Sequence, residues 1–377
     1  MQQKQEAQAL LARFRGAITE ALQVALAEAR MASAPELSDL FAQIEYHLGW
    51  LDATLTPLAP GKMHSGKLLR PTLTLYSCEL AALASGACVG EGSSERLALV
   101  DLAMPAAVAV ELVHNFSLIH DDIEDGDEER HHYPTLWKLW GQPQAINTGD
   151  ALFALARAQI WGLTDRGAPP ALVVHAGRIL DRACLDICEG QHLDMSFEDR
   201  QDVTVAHYFA MIDRKTAALM RCAAELGGRL GAPDASEVGD RLAAFGRALG
   251  LAFQLRDDLL GIWAAGELGK TEAGDVRRKK KSLPIIHALE HAQGDDRAAL
   301  AEIYATREPA NEQQIARTLL ALEHTGARQR AYEALNEQVA VAHEALAAVA
   351  VAAGEPERAR TSDAYAALAA ALAFVAG

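Results

Sequence analysis

Apolar residues recur at three- and four-residue intervals along most of the chain, and no stretch alternates with the period of two that marks a strand. The pattern predicts helices over about 3–31, 36–54 and from Pro71 into the glycine-rich stretch Gly86–Gly92. Others follow from 97 to the aspartates at 121–125, then over about 143–164, 169–195, 202–230 and 235–262. Pro71 suits a first helical turn, where its missing N–H costs nothing. Between helices lie three loops: Thr56–Lys62, the charged and aromatic stretch 126–143 with Pro134, Gly141 and Pro143, and a Gly- and Lys-rich stretch over 264–282. Several further helices of mixed length complete the chain, and the Ala-rich run Ala364–Gly377 reads as a packed final helix. No composition break or internal repeat divides residues 1–377, so the expectation is a single all-α domain.

Two of these helices end abruptly in acid. The stretch from Glu111 to Asp125 closes an apolar helix with Asp121, Asp122 and Asp125, and Asp121 and Asp125 share one face at four-residue spacing. Like charges so placed repel, and acid at a helix C-terminus opposes the dipole. The spacing alone allows a solvated helix end or a divalent cation. The stretch Gly250–Gly261 repeats the theme with Gln254, Asp257 and Asp258, and Asp275 offers a further carboxylate from the following loop. Should the two tips face one cavity, Asp121, Asp125 and Asp257 form a set of hard oxygen donors suited to Mg²⁺. No His or Cys joins them at a zinc-like spacing.

Composition narrows the chemistry. Ala and Leu abound and aromatics are few, which favours close-packed helices. A net charge of −16 argues against a nucleic-acid partner. The five cysteines (Cys78, Cys88, Cys184, Cys188 and Cys222) show no disulfide framework, so the expected compartment is a reducing cytoplasm. Cys184, Cys188 and His192 share a helical face, but buried cysteines are commonly small core residues. The N-terminus is polar and no apolar run approaches the ~18–20 residues of a membrane span.

Against this acidic background, cations gather where an anion would need them. Lys67 and Arg70 precede or open a helix, Arg130 follows the first acid tip, and Lys215-Thr216 lies in mid-helix. Lys270 and the run Arg277–Lys281 follow the second tip, with Arg278, Lys279 and Lys281 read as solvated surface cations.

Taken in order, these elements resemble the trans-isoprenyl diphosphate synthase (polyprenyl synthetase) family over roughly residues 60–290. Gly66-Lys67 to Arg70-Pro71 is similar to its GKxxRP element and Asp121–Asp125 to its first DDxxD motif. Gly190-Gln191 to Asp194 is similar to GQxxD, Lys215-Thr216 to the KT pair, and Gln254-Leu-Arg-Asp257-Asp258 to the second motif. Gly269-Lys270 and Lys280–Pro284 resemble the closing lysine segment. The resemblance implies an isoprenoid-synthase helical bundle around a central cavity, usually a homodimer, and three Mg²⁺ ions bound with an allylic diphosphate. It implies metal ligation by Asp121, Asp125 and Asp257, with Asp122 in the same catalytic motif. Arg130, Lys215, Thr216, Gln254, Lys270 and Lys280 would hold the allylic diphosphate (dimethylallyl, geranyl or farnesyl). Lys67, Arg70 and His114 would hold isopentenyl diphosphate, and Gln191 and Lys215 would steady the cationic intermediate. The expected reaction is head-to-tail condensation.

Two positions depart from the family pattern. His131 follows Arg130 where the family commonly has a second arginine, and an imidazole is a weaker, pH-dependent cation. Gly261 stands where the second motif has a third aspartate, as in geranylgeranyl-type synthases. Phe116 and Ser117, five and four residues before Asp121, face the growing tail if it runs down this helix. One ring as floor beside a small serine resembles geranylgeranyl (C20) synthases, with farnesyl (C15) next. A class I terpene cyclase and a non-catalytic partner subunit are the competing expectations.

Overall fold

The computed structural model describes residues 9–63, 66–86, 93–263, 273–306, 308–352 and 356–376. In chain order its helices begin with α1 (Arg15–Met31), α2 (Ser38–His47), α3 (Leu69–Ala84) and α4 (Ser94–Glu124). A hairpin of β1 (Glu129–Arg130) and β2 (Tyr133–Pro134) leads to α5 (Leu136–Trp140), α6 (Gln142–Trp161) and α7 (Pro170–Glu198). Then come α8 (Val205–Ile212), a π-helical turn (Asp213–Ala217), α9 (Ala218–Gly231) and α10 (Ser236–Trp263). The remaining helices are α11 (Gly274–Arg277), α12 (Leu283–His291), α13 (Gly294–Ile303), α14 (Glu312–His324), α15 (Ala327–Val351), α16 (Pro356–Arg360) and α17 (Asp363–Ala376).

The chain clusters into two compact units. One comprises Met1–Cys184, Cys222–Ala243 and Leu346–Ala371, the other Leu185–Arg221, Ala244–Ala345 and Leu372–Gly377. In the first, α4 packs along α3 and α6. Helix α3 is buried on nearly every side from Pro71 to Ala84, its polar Thr72, Thr74, Ser77 and Glu79 included. Ser93 caps α4 by accepting the Arg96 N–H at 3.2 Å. Small residues such as Ala103, Ala106, Ala107 and Ala109 are fully buried along α4, and they let its neighbours approach closely. Nearer the acid end, Leu112 and Ile119 are buried too, each worth roughly 2 kcal/mol by area. This packing fixes where the carboxylates emerge. The second unit is organised on Phe245, Leu249 and Leu255 of α10. A cluster of Ile262, Val276, Ile285, Leu300, Ile303, Ile315 and Leu322 continues its core.

Most helices fall where the periodicity predicts, but the one expected over 36–54 ends at His47, and three further differences stand out. The hairpin inside 126–143 has two residues per strand, too few to carry any alternation. The helix expected over 202–230 is broken by the π turn. Finally, α4 passes as a membrane span by length and mean hydropathy, contrary to the reading of the sequence. Its apolar residues, however, are largely enclosed by the core, 56% of the span-like window being buried.

Candidate active site

The acid tip of α4 divides its aspartates by environment. Asp125 is exposed and caps the helix, its N–H donating to the Asp121 carbonyl at 2.8 Å. Asp121 is half-buried. Asp122 turns inward, 2% exposed, and its Oδ1 accepts from Arg130 Nε at 2.8 Å and Nη2 at 2.7 Å. Burial pushes the Asp122 carboxyl up, and Arg130 opposes that. Asp122 is thus the residue that fixes Arg130.

Two turns before Asp121, His114 meets Arg70 across 3.2 Å, Nε2 to Nη1. A guanidinium only donates, so His114 Nε2 accepts and its proton resides on Nδ1. Burial, reinforced by Arg70 and Arg130, holds His114 well below the usual histidine range. His47 of α2 is lowered to about 3, again by burial first and then by Arg130 and His131. Burial also lowers Arg70, while buried Glu111 opposes the loss of its charge. Asn115 steadies Glu111, donating to its carbonyl at 2.8 Å and to Oε1 at 3.2 Å. His47, Glu111, His114, Asp122, Arg130 and His131 line a cavity of about 100 Å³. Lys67 lies exposed on the segment before α3.

Phe116 contacts two rings, His120 edge-on at 4.9 Å and Phe153 of α6 at 5.4 Å. Phe153 was not singled out by the sequence, where nothing marks α6 as a neighbour. Ser117 turns its hydroxyl back to the His114 carbonyl at 2.8 Å.

In the second unit, Gly190 lets α7 touch the π turn. A Cβ there would lie 2.2 Å from the Lys215 nitrogen. The contact brings Lys215 Nζ to 2.6 Å from Asp194 Oδ2. Thr216 donates to Gln254 Oε1 at 2.8 Å, and Gln254 Nε2 donates to Asp258 Oδ1 at 3.0 Å. Asp258 is fully buried and also accepts from the Tyr208 hydroxyl at 2.5 Å and from the Leu283 N–H at 3.1 Å. Lys280 lies 3.4 Å from Asp258 and 3.9 Å from Asp275. Burial pulls the Lys280 ammonium down, but Asp258, Asp275, Asp257 and Asp194 outweigh it and raise it. Asp257 remains half-buried. Gln191 is 7% exposed, and neither amide atom has a hydrogen-bond partner among the described residues.

Gly261, the departure from the acid motif, has a spatial reason. A Cβ at 261 would sit 2.2 Å from Asp275 Oδ2, so this carboxylate, which lies on α11 and not on a loop, occupies the room a third aspartate needs. Lys281 and Lys279 are not the solvated cations the sequence suggests. Lys281 donates to the carbonyls of Phe197 (2.5 Å), Glu198 (3.0 Å) and Arg200, closing the C-terminus of α7. Lys279 bonds Thr306 Oγ1 at 2.7 Å. Lys270 lies outside the described residues.

The donor chemistry fits Mg²⁺. Each leading aspartate offers hard oxygen at a helix tip, and no cluster of three or more His, Cys, Asp or Glu forms a protein cage among the described residues. Mg²⁺ is commonly held that way, by one or two carboxylates together with substrate phosphates and water. Cys184 is buried whereas Cys188 and His192 are exposed, and they form no such cluster.

A family model described as polyprenyl synthetase matches residues 54–322. A (2E,6E)-farnesyl diphosphate synthase of Mycobacterium bovis is 42% identical over 253 residues, 66% of this chain. The chain spans 63% of that relative's length. A geranylgeranyl diphosphate synthase of Mycobacterium tuberculosis is 38% identical over 302 residues, covering 80% of this chain and 79% of the relative. The crystal structure of a polyprenyl synthetase from Streptomyces coelicolor A3(2) superposes with a TM-score of 0.81 at 35% identity, covering 98% of this chain and 99% of that one. That structure shares the all-α fold, and with it the chain belongs to the polyprenyl synthetase family.

Proposed function

We propose that the protein catalyses Mg²⁺-dependent head-to-tail condensation of isopentenyl diphosphate with an allylic diphosphate. The product is a short-chain trans-prenyl diphosphate, C20 in preference to C15. The carrying observation is the double use of α4: it ends in Asp121 and Asp125, and two turns earlier its His114 lines a cavity shared with Arg130 and His131. An acid tip, and a polar hollow that Arg130 borders, both on one helix, suit two diphosphate substrates.

In this reading Arg130, Lys215, Thr216, Gln254, Lys270 and Lys280 bind the allylic diphosphate. Their charges favour departure of the leaving group as negative charge develops on it. Asp121, Asp125 and Asp257 would hold Mg²⁺, which when bound would supply Lewis-acid stabilisation of that leaving group. Lys67, Arg70 and His114 orient isopentenyl diphosphate so that its double bond meets the allylic carbon. Asp122 acts through Arg130. The Gln191 amide, buried without a hydrogen-bond partner among the described residues, is suited to face the cationic intermediate. The described units divide within helices at 184/185, 221/222, 243/244, 345/346 and 371/372, which supports treating residues 1–377 as one domain; a homodimer is part of the same proposal.

The test is incubation of purified protein with Mg²⁺, labelled isopentenyl diphosphate and each of dimethylallyl, geranyl and farnesyl diphosphate. Label in a C20 product supports the reading, C15 corrects its length, and no incorporation with any primer overturns it in favour of a cyclase. Phe116→Ala lengthens the product by one or more isoprene units, because the Phe116–Phe153 floor opens. Unchanged products on chromatography would put the floor elsewhere.

A further inference from the structure

The ring floor proposed for the product tail has a charged backing. Helices α4 and α6 pack together, and three contacts show that they run antiparallel. His120 Nε2 lies 3.4 Å from the Ile146 carbonyl, the Phe116 ring meets Phe153, and Asp101 pairs with Arg166 just past the end of α6. Moving along α6 from 146 towards 161 is therefore moving along α4 away from Asp121, the direction assigned to the growing tail.

Arg157 follows Phe153 by four residues, so it stands on the same face of α6, one turn and about 6 Å further from the acid tip. Its guanidinium carbon lies 5.9 Å from the centre of the Phe153 ring. Its Nη1 lies 3.1 Å from Oδ1 of Asp181 on α7, and the two side chains are 40% and 44% exposed. On α4, Leu112 and Val113, four and three residues before Phe116, are apolar and fully buried. The level below the rings is thus apolar on α4 and charged on α6 and α7.

Such a level halts an apolar chain for a reason other than size. Taking an ion pair out of water costs more than its attraction returns unless further polar groups satisfy it. An isoprene unit carries no polar atom with which to do so.

We propose that the Arg157–Asp181 pair is a second limit on product length, acting by charge, one helical turn beyond the ring floor at Phe116. The proposal rests on the prenyl-elongation reading above and on a tail that runs down α4. In the wild type the rings are met first, and the pair only backs Phe153. Once Phe116 is cut to alanine, the depth opened is close to one isoprene repeat. Elongation then ends where the tail reaches Arg157.

The experiment compares product lengths by chromatography, with Mg²⁺, labelled isopentenyl diphosphate and farnesyl diphosphate. The proteins are the wild type, Arg157→Met, Phe116→Ala, Phe116→Ala/Arg157→Met and Phe116→Ala/Arg157→Lys. Methionine keeps a straight side chain without the charge, and lysine keeps the charge. Losing a solvent-exposed ion pair costs little stability, and thermal melting checks the fold. Arg157→Met alone is expected to give the wild-type product. Phe116→Ala adds one isoprene unit, Phe116→Ala/Arg157→Met adds two or more, and the lysine double variant returns to the length of Phe116→Ala. Equal lengths from Phe116→Ala and its methionine double variant overturn the inference alone. So does equal lengthening by methionine and lysine, which marks lost packing rather than lost charge. Lengthening by Arg157→Met alone overturns it too, since the rings are then not met first. Wild-type length from Phe116→Ala removes the ring floor and the inference together, and absence of condensation with every primer removes the elongation reading as well.

Discussion

The two acid motifs begin alike and are used differently. Both place an Asp-Asp pair at the end of an apolar helix, and in both the leading residue stays half-buried while the second turns inward. Asp122 then makes one local connection, to Arg130 eight residues on. Asp258 instead joins four segments: Tyr208 of α8, Gln254 on its own helix, the N–H of Leu283 opening α12, and Lys280. The dipeptide is the same, but the first inner carboxylate aims a side chain and the second holds a unit together. A motif read as one functional block therefore contains two kinds of residue, separable by burial.

Substitutions in the two pairs test that separation. Asp258→Ala is expected to cost about 3–5 kcal/mol in denaturant unfolding, because Lys280 and three donors lose their acceptor. Asp257→Asn and Asp121→Asn should instead lower kcat/KM by roughly 10²–10³-fold, about 2.7–4 kcal/mol, with little change in melting temperature. Asp122→Ala should cost only about 1–3 kcal/mol of stability, since Arg130 can reach water. Equal unfolding costs for Asp122→Ala and Asp258→Ala would erase the contrast.

Gly190→Ala probes the second unit from another side. Its Cβ would meet the Lys215 nitrogen at 2.2 Å, so α7 and the π turn must part. A loss of about 1–3 kcal/mol is expected, along with a weaker allylic-diphosphate KM as Lys215 leaves its place. A variant with wild-type stability and KM would show that the contact is easily relaxed.

The smallest effect concerns the first unit and acid. The folded pKa of His47, about 3, lies below its unfolded value of 6.5, so between them only the unfolded chain binds the proton. Its stabilising contribution is therefore complete above about pH 6.5 and is lost progressively as pH falls towards 3. The slope from this group is at most about 1.4 kcal/mol per pH unit. Unfolding titrations at pH 7, 6 and 5 should show a shallower acid decline in His47→Gln. Identical slopes would mean that the imidazole charges without resistance in the fold.

Much of this was legible before any coordinates. The acid tips and most helices follow from apolar periodicity that ends in carboxylates, a local signal. The cations at 67, 70, 130 and 215 stand out because they sit at element ends or in apolar surroundings. Lys281 was misread because its three carbonyl partners come from the end of α7, and a helix terminus leaves no mark on a lysine more than eighty residues away. Phe153 escaped for the same reason: only packing of α4 on α6 brings it to Phe116. Gly261 showed as a departure, but its cause, the Asp275 carboxylate in the same space, is a contact between α10 and α11.

The π turn at Asp213–Ala217 has a consequence for angular phase. An α-helix advances about 100° per residue, so Tyr208 and Thr216 would diverge by about 80° on an unbroken helix. Taking one extra residue into a wide turn removes about one such step and returns them to within about 20° of a common direction. That is how Tyr208 reaches Asp258 while Thr216 reaches Gln254, one turn apart on α10. Loss of a single codon between 213 and 217 would leave a smoother, more regular helix. Winding the same residues into a regular helix without that loss would instead put Thr216 about 80° out of step with Tyr208, so the irregular turn keeps Lys215, Thr216 and the Asp258 hub in register.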